Sequence, residues 1–124
     1  MSLARAAFAL TFVAIMASPT LGATTKWGAI AVDAAVAERE PFYGVGGGAA
    51  EQEAIDAAMG FCKEAGGAAC KSVVTYQQCG ALAVSGKGQG GWGQSDSKDG
   101  AEKQAMSACK SDVACRIVVS DCNE

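Results

Sequence analysis

The stretch AEQEAIDAAMGFCKEAGGAACKSVVTYQQC at residues 50–79 decides the fold, because a shorter version, GAEKQAMSACKSDVACRIVVSDC, returns at residues 100–122. The matched residues are Ala54, Ala58, Cys62, Cys70 and Cys79 in the first version and Ala101, Ala105, Cys109, Cys115 and Cys122 in the second. Small residues four apart share one face of a helix, and the valine-rich run after the second cysteine is typical of a strand. The pattern therefore predicts a helix followed by a strand, twice.

Further strands are predicted ahead of each helix. The segment GAIAV at residues 28–32 returns as GALAV at residues 80–84, and Trp92-Gly93 is matched with Tyr43-Gly44. β-Branched residues bounded by glycines are typical of strands. The predicted elements of the first copy are strands at 27–32, 42–45 and 70–76 with a helix at 50–63; those of the second are strands at 80–84, around 92–93 and at 115–120 with a helix at 101–110.

This element order predicts an α+β fold made of two ββαβ repeats, at about residues 27–79 and 80–122. One repeat alone has too few strands to cover its amphipathic helix. We therefore expect two repeats related by a pseudo-twofold to pool their strands into one mainly antiparallel sheet, with both helices on one face.

The first 23 residues have the layout of a secretory signal peptide. Arg5 precedes an apolar run at residues 6–17, and small residues follow at Gly22-Ala23. The apolar run is shorter than the roughly 20 residues that a membrane span needs, although an uncleaved N-terminal anchor is an open alternative. We expect cleavage after Ala23, a single domain at residues 24–124, a secreted or periplasmic location and no membrane association after cleavage.

The even number of cysteines predicts a disulfide framework in an exported chain. If the two copies fold alike, their pairings should be equivalent, so we expect Cys62–Cys70 and Cys109–Cys115 within copies and Cys79–Cys122 joining them. Zinc ligands or redox thiols are the alternative, but these sites use tighter pairs such as C-x-x-C, which does not occur in the sequence. No metal site is predicted.

Charge and composition argue against several classes of function. The net charge is −3 and the chain has no histidine. A mildly acidic chain does not suit nucleic acid or anionic membranes, and a chain without histidine has no Ser-His-Asp or Cys-His site. The run at residues 44–49 superficially fits the dinucleotide pattern G-x-G-x-x-A. Glu64 lies at about the distance of that site's acidic residue, but it is placed at the helix end and not after a second strand. We interpret the run as a tight turn into the helix and predict no cofactor.

The combination of GAIAV, an aromatic-glycine pair, A-x-x-x-A-x-x-x-C, C-x-x-V-V and C-G-A-L-A-V resembles the bacterial domain of unknown function 4189 family. The resemblance covers residues 27–122 and implies a small exported bacterial domain. It implies no activity, cofactor or catalytic residue.

Partner-binding candidates come from aromatic and acidic residues. Trp27, Tyr43 and Trp92 are either half-buried core residues or an aromatic patch for a protein or glycan partner, since Trp and Tyr are enriched at binding hot spots. A flexible loop at residues 85–99, which carries Trp92, is the predicted contact surface. Asp96 and Asp99 lie in this loop, and either Asp99 or Ser97 is expected near the helix cap.

These features predict a small exported, disulfide-stapled binding or interaction module without catalysis, such as an inhibitor or accessory factor for a secreted or envelope protein. Two alternatives stay open at this point. One is a hydrolytic enzyme that uses carboxylates between Asp96 and Glu102, because glycoside hydrolysis needs two acidic side chains; calcium binding by the same carboxylates is a related alternative. The other is a purely structural envelope protein.

Overall fold

The computed structural model describes residues 26–33, 41–86, 90–110 and 114–123. In these ranges the chain forms β1 (Trp27–Asp33), β2 (Phe42–Gly48), α1 (Glu51–Glu64), β3 (Lys71–Tyr76), β4 (Cys79–Ser85), β5 (Gly90–Ser95), α2 (Lys98–Ala108) and β6 (Cys115–Cys122). The predicted signal peptide lies outside the described residues. No helix within the described ranges is both long and apolar enough to span a bilayer.

The strands form two three-stranded antiparallel sheets, with the order β2-β1-β3 in the first and β5-β4-β6 in the second. Each sheet is built by one ββαβ segment, and its first strand lies in the centre. The α+β class and the twice-repeated ββαβ pattern are therefore confirmed.

The two sheets share an irregularity at matching positions. The register of β1 against β3 shifts between Ile30 and Ala31, and that of β4 against β6 shifts between Leu82 and Ala83. An extra residue in one strand of a pair bends that strand and breaks the strict alternation of its side chains. As a result Val73 and Val74 both pack on the same core, as do Val118 and Val119.

Small and large side chains alternate along the two central strands, so each of these strands has one face that packs on a helix and one that packs on the other sheet. Ala29 and Ala31 of β1 pack against α1, whereas Ile30 and Val32 face the other way. Strand β4 repeats this with alanines against α2 and larger residues on its other face. The larger residues meet between the sheets in what we call the inter-sheet core: Ile30, Val32, Val74, Tyr76, Leu82 and Val84.

The expected single sheet with both helices on one face is therefore wrong in its layering. The order is α1, first sheet, second sheet, α2, and the helices lie on opposite outer sides. The physical reason lies in the central strands, because a pooled sheet would leave Ile30, Leu82 and their neighbours facing water. Burial of apolar side chains is the dominant favourable term in folding, and packing the two sheets face to face provides it.

Glycines let each helix lie directly on its sheet. A Cβ added at Gly46 would come 2.6 Å from the carbonyl oxygen of Ala54, and one at Gly93 would come 2.6 Å from that of Ala101. These glycines lie inside β2 and β5 and face the helix backbone, so the strand does not end at residue 45 as predicted. The run at residues 44–49 is likewise not a turn, because Gly44, Gly46 and Gly48 belong to a strand.

The register also corrects one match between the copies. Val45 pairs with Ile30 in the first sheet, and Trp92 pairs with Leu82 in the second. Trp92 is therefore the equivalent of Val45, and the predicted match of Trp92 with Tyr43 is wrong by two residues. The glycines that touch the helix are the constrained positions, so they define the equivalence of the two copies and the aromatic side chains do not.

All three predicted disulfides form. The bridges are Cys62–Cys70, Cys109–Cys115 and Cys79–Cys122. The first two tie the end of each helix to the start of the following strand. Cys79 and Cys122 are register partners on β4 and β6, so their bridge lies within the second sheet and does not connect the two sheets.

Backbone groups at the helix ends find specific partners. Gly66 adopts a left-handed φ of 116° after α1, which suits a residue without Cβ. The following loop is held by the buried carboxylate of Asp33, which accepts hydrogen bonds from the backbone of Ala68 and Ala69 at 2.9 and 3.0 Å. At the start of α2, Ser97 accepts from the backbone of Gly100 and is the N-cap, as predicted.

Replacing a helix-facing glycine should destabilise the protein, whereas replacing a solvent-facing one should not. In Gly46→Ala the new methyl meets the α1 backbone, and we expect a loss of about 1–3 kcal/mol in the free energy of unfolding, typical of overpacking. Gly60→Ala is the matched control, because nothing lies within 4 Å of a Cβ there. That change should stabilise α1 by about 0.5–1 kcal/mol. Urea denaturation under non-reducing conditions measures both, and equal effects of the two changes would contradict the close packing.

The disulfide pairing can be checked directly by proteolysis without reduction, followed by mass spectrometry. We expect three linked peptide pairs that correspond to the three bridges, and no free thiol in protein purified from an oxidising compartment. A peptide that links Cys70 to Cys115 would contradict the fold, because Cys70 precedes β3 of the first sheet and Cys115 begins β6 of the second.

Candidate functional site

A groove follows β5 on the side where the second sheet meets β3, and we call it the β3–β5 groove. It consists of two depressions that share Gln94, one of about 430 Å³ and one of about 310 Å³. The larger is lined by Trp27, Tyr76, Gln77, Gln78, Cys79, Gln94, Ser95 and Asp96. The smaller is lined by Val73, Val74, Thr75, Trp92, Gly93, Gln94 and Gln104.

Alternation along β5 explains why these side chains meet in the groove. Gly91 and Gly93 face the α2 backbone, so the residues between and after them point to the opposite side of the sheet. Trp92 and Gln94 thus face the groove, and Asp96 follows two positions later. The indole of Trp92 is 48% exposed, so much of this ring is open to a ligand.

Trp27 lies at the other end of the groove. It is the first residue of β1 and is half-buried, because part of its side chain packs against the α1 cluster. The rest borders the larger depression together with Gln77 and Gln78. The groove therefore has an indole at each end and amide side chains between them.

Tyr76 forms the floor of the larger depression and connects the two halves of the molecule. Its buried ring lies between Gly28 of β1 and Gly80 of β4, either of which would clash with it if it carried a Cβ. The hydroxyl donates a hydrogen bond of 2.6 Å to Oδ2 of Asp121. Burial raises the pKa of the Tyr76 phenol far above its ordinary value of 10.0, and the bond to Asp121 and the charge of that carboxylate add to the rise.

The groove wall formed by residues 77 and 78 is held by the end of the chain. The backbone of Asn123 donates to the carbonyl of Gln78 at 2.7 Å, and its side-chain amide donates to the carbonyl of Gln77 at 3.2 Å. The Cys79–Cys122 bridge lies next to both contacts. These bonds fix the backbone that carries two of the groove amides.

The structure brings together some of the predicted partner-binding residues and separates others. Trp27 and Asp96 line the larger depression and Trp92 lines the smaller one. Tyr43 lies on β2, at the opposite edge of the first sheet from β3, and takes no part in the groove. Asp99 lines a different depression of about 630 Å³ beside α2, with Glu102, Lys103, Met106, Ser107 and Ile117.

The predicted flexible loop at residues 85–99 is wrong for most of its length. Residues 90–95 form β5, and α2 already begins at Lys98. Gly91 and Gly93, which lie in this range, face the backbone of α2. Trp92 therefore projects from a paired strand, which positions its indole more firmly than a loop would.

The acidic residues do not assemble into one cluster. Asp96 borders the groove, Asp99 is exposed on α2, and Glu102 accepts a hydrogen bond of 2.8 Å from the hydroxyl of Ser120. Among the described residues, no group of three potential ligands is placed to hold a metal ion. Asp96 is the one carboxylate among the described residues that line the groove, so this lining does not present a pair of carboxylates facing each other.

Sequence reasoning missed the groove glutamines. Gln77 and Gln78 lie at the end of the first predicted copy, and Gln94 lies in the predicted loop. The alternation of Gly91 and Gly93 with Trp92 and Gln94 was the available signal. It predicts a strand with one face of glycines and another of large side chains.

Removing the Tyr76 hydroxyl should destabilise the fold at neutral pH. In Tyr76→Phe the hydrogen bond to Asp121 is lost and the carboxylate is left without this donor, which costs about 1–3 kcal/mol. The ring still fills the space between Gly28 and Gly80, so the structure should be retained. Denaturant unfolding at pH 7 measures the change, and an unchanged midpoint would show that the bond contributes nothing.

Raising the pH above 10 should reduce the difference in stability between the wild type and Tyr76→Phe. The phenol keeps its proton in the folded state but loses it in the unfolded state above pH 10, so the stabilising effect of Tyr76 is complete below that pH and falls as pH rises. The slope for one such group is about 1.4 kcal/mol per pH unit. Between pH 9 and pH 11 the free energy of unfolding should therefore fall more steeply for the wild type than for Tyr76→Phe, by about half this slope on average and by nearly the full slope at the upper end. Parallel curves would contradict the raised pKa.

Comparison with known proteins places the chain in one family. Neither the curated proteins nor the solved structures contain a match to it. The family model described as domain of unknown function (DUF4189) matches residues 27–122, which include all eight helices and strands of the described ranges. The chain therefore belongs to the DUF4189 family of domains of unknown function.

Proposed function

We propose that this protein is a small disulfide-stabilised binding module that works outside the cytoplasm, either secreted or in the periplasm, and that the β3–β5 groove is its contact surface. The module acts there as an inhibitor or accessory factor by holding a secreted or envelope component. The single observation that carries the proposal is a preformed groove with an indole at each end, in which Trp92 is 48% exposed on a paired strand.

The disulfides support the location. Three bridges join the six cysteines, and such bridges persist in oxidising compartments and are rare in the cytosol. The sequence layout of residues 1–23 agrees with this and predicts export.

The rigidity of the groove supports a binding role. Trp92 and Gln94 project from a strand that α2 covers on its other face, and residues 77 and 78 are tied to Asn123. Side chains that are already ordered lose less conformational entropy on binding, so a larger part of the contact energy appears as affinity.

The exposed indole supports a contact rather than a core role for Trp92. Tryptophan is among the residues most enriched at binding hot spots, and lysine is depleted at the centres of interfaces. No lysine or arginine is among the described residues that line the groove. The composition of the lining thus resembles the centre of a binding surface.

Affinity capture with matched variants tests the proposal. The mature protein, immobilised with its disulfides intact, is exposed to periplasmic extract and culture supernatant, and the retained protein and carbohydrate are both analysed. We expect a specific component that Trp92→Ala loses by about tenfold or more, as for a hot-spot residue. Tyr43→Ala is the control, because Tyr43 is an exposed aromatic residue (36%) away from the groove.

The two variants also define the failure of the proposal. Tyr43→Ala should retain the component at the wild-type level, and both variants should melt within a few degrees of the wild type. Equal retention by wild type and Trp92→Ala would contradict the role of the groove. Loss of the component in Tyr43→Ala alone would move the contact surface to β2.

A further inference from the structure

We infer that the β3–β5 groove binds an uncharged oligosaccharide chain, with one sugar ring against the indole of Trp92 and another near Trp27. The inference rests on the proposed function and specifies the chemistry of its ligand. It is argued from the side chains of the groove, from their charge and from the shape of the groove.

The lining offers hydrogen-bonding groups of the kind that sugar hydroxyls use. The side-chain amides of Gln77, Gln78 and Gln94 each carry a donor and an acceptor group. Gln104 contributes mainly its NH₂ donors, because its Oε1 accepts from the backbone of Gln94 at 3.2 Å. A sugar hydroxyl likewise donates one hydrogen bond and accepts others, so amides match it in either orientation. Asp96 adds acceptors for two neighbouring hydroxyls.

The exposed indole offers the apolar complement. One face of a pyranose ring presents C–H groups, which pack against the flat, electron-rich face of an aromatic ring. Trp92 provides such a face at one end of the groove, and Trp27 provides a smaller one at the other. Flat apolar surfaces separated by amides fit a ligand in which apolar faces and hydroxyls alternate.

The charge of the groove selects a neutral ligand. The lining contains the carboxylate of Asp96 and, among the described residues, no lysine or arginine. The whole chain carries a net charge of −3. An anionic polymer would meet repulsion with no cation to pair with its acidic groups, so phosphate-bearing and uronic-acid ligands are disfavoured.

The shape of the groove favours a chain over a compact ligand. Its two depressions, of about 430 and 310 Å³, share Gln94 as a lining residue, and each lies in the lower part of the range of about 300–1,000 Å³ for small-molecule sites. An extended polypeptide would instead add to the free edge of β5 through main-chain hydrogen bonds. Here the backbone N–H of Gln94 at that edge already donates to Oε1 of Gln104 at 3.2 Å, so an added strand would have to displace this contact.

Intrinsic fluorescence tests the inference, because Trp27 and Trp92 are the two tryptophans of the sequence. The oxidised mature protein is titrated with cellohexaose and chitohexaose as neutral chains and with hexagalacturonate as the anionic control. A glutamine-rich peptide of similar length serves as the polypeptide control. We expect a change in emission with at least one neutral hexamer and about tenfold weaker binding of its disaccharide, since the disaccharide reaches one depression only.

Single-tryptophan variants locate the chain. Trp27→Phe reports on the Trp92 end, Trp92→Phe reports on the Trp27 end, and the emission of both should respond to the hexamer. Gln94→Ala, at the shared position, should weaken binding by about tenfold. Tyr43→Ala should leave the affinity unchanged within about twofold, and circular dichroism confirms that each variant is folded.

The outcomes separate the ligand class from the function. Tighter binding of hexagalacturonate or of the peptide than of the neutral chains would overturn the inference, as would no response to either neutral hexamer. If Trp92→Ala abolishes capture from extract while neither neutral hexamer binds, the ligand class is wrong and the proposed function stands. If neither neutral hexamer binds and Trp92→Ala also captures the component at the wild-type level, both the ligand class and the proposed function are wrong.

Discussion

The close contact between helix backbone and glycine-containing strand is the constraint on which the rest of this structure depends. Gly46 and Gly93 touch the helices so closely that a single methyl group would clash with the main chain. Alanines at the equivalent helix positions Ala54 and Ala101 are fully buried at these contacts. Because the outer layers use small side chains, the larger apolar residues of the central strands are left for the opposite face. The two sheets therefore have to pack against each other.

The same constraint creates the candidate site. A strand whose alternate residues are glycines facing a helix must direct its remaining side chains to the other side. In β2 that arrangement gives Val45, which packs on the inter-sheet core. In β5 it gives Trp92 and Gln94, which border the groove. The same backbone arrangement thus supports core packing in the first sheet and lines the groove in the second, and the difference lies in the side chains at equivalent positions.

Local patterns in the sequence predicted the helices and strands, and the equivalence of the two copies predicted the three disulfides. They did not predict the layering of helices and sheets. Buried residues such as Ile30 and Leu82 give the same sequence pattern in one pooled sheet as in two sheets packed face to face. The groove was missed for a related reason. Glycine is ambiguous in sequence, because it is equally typical of a flexible loop and of a strand in close contact with a helix, as Gly91 and Gly93 are. Contacts between distant segments, such as that of Gln77 with Asn123, cannot be detected from periodicity in the sequence.

The hydrogen bond between Tyr76 and Asp121 has a consequence for how the halves relate. Tyr76 lies opposite Gly28 and Asp121 lies opposite Gly80, so the two residues occupy equivalent places in the two sheets. One half contributes the proton and the bulky ring, and the other contributes the acceptor. Two copies of the first half would bring two phenol rings into a space that holds one, and two copies of the second would oppose two carboxylates. Each half therefore provides the group that the other half lacks, and neither half could be replaced by a second copy of the other.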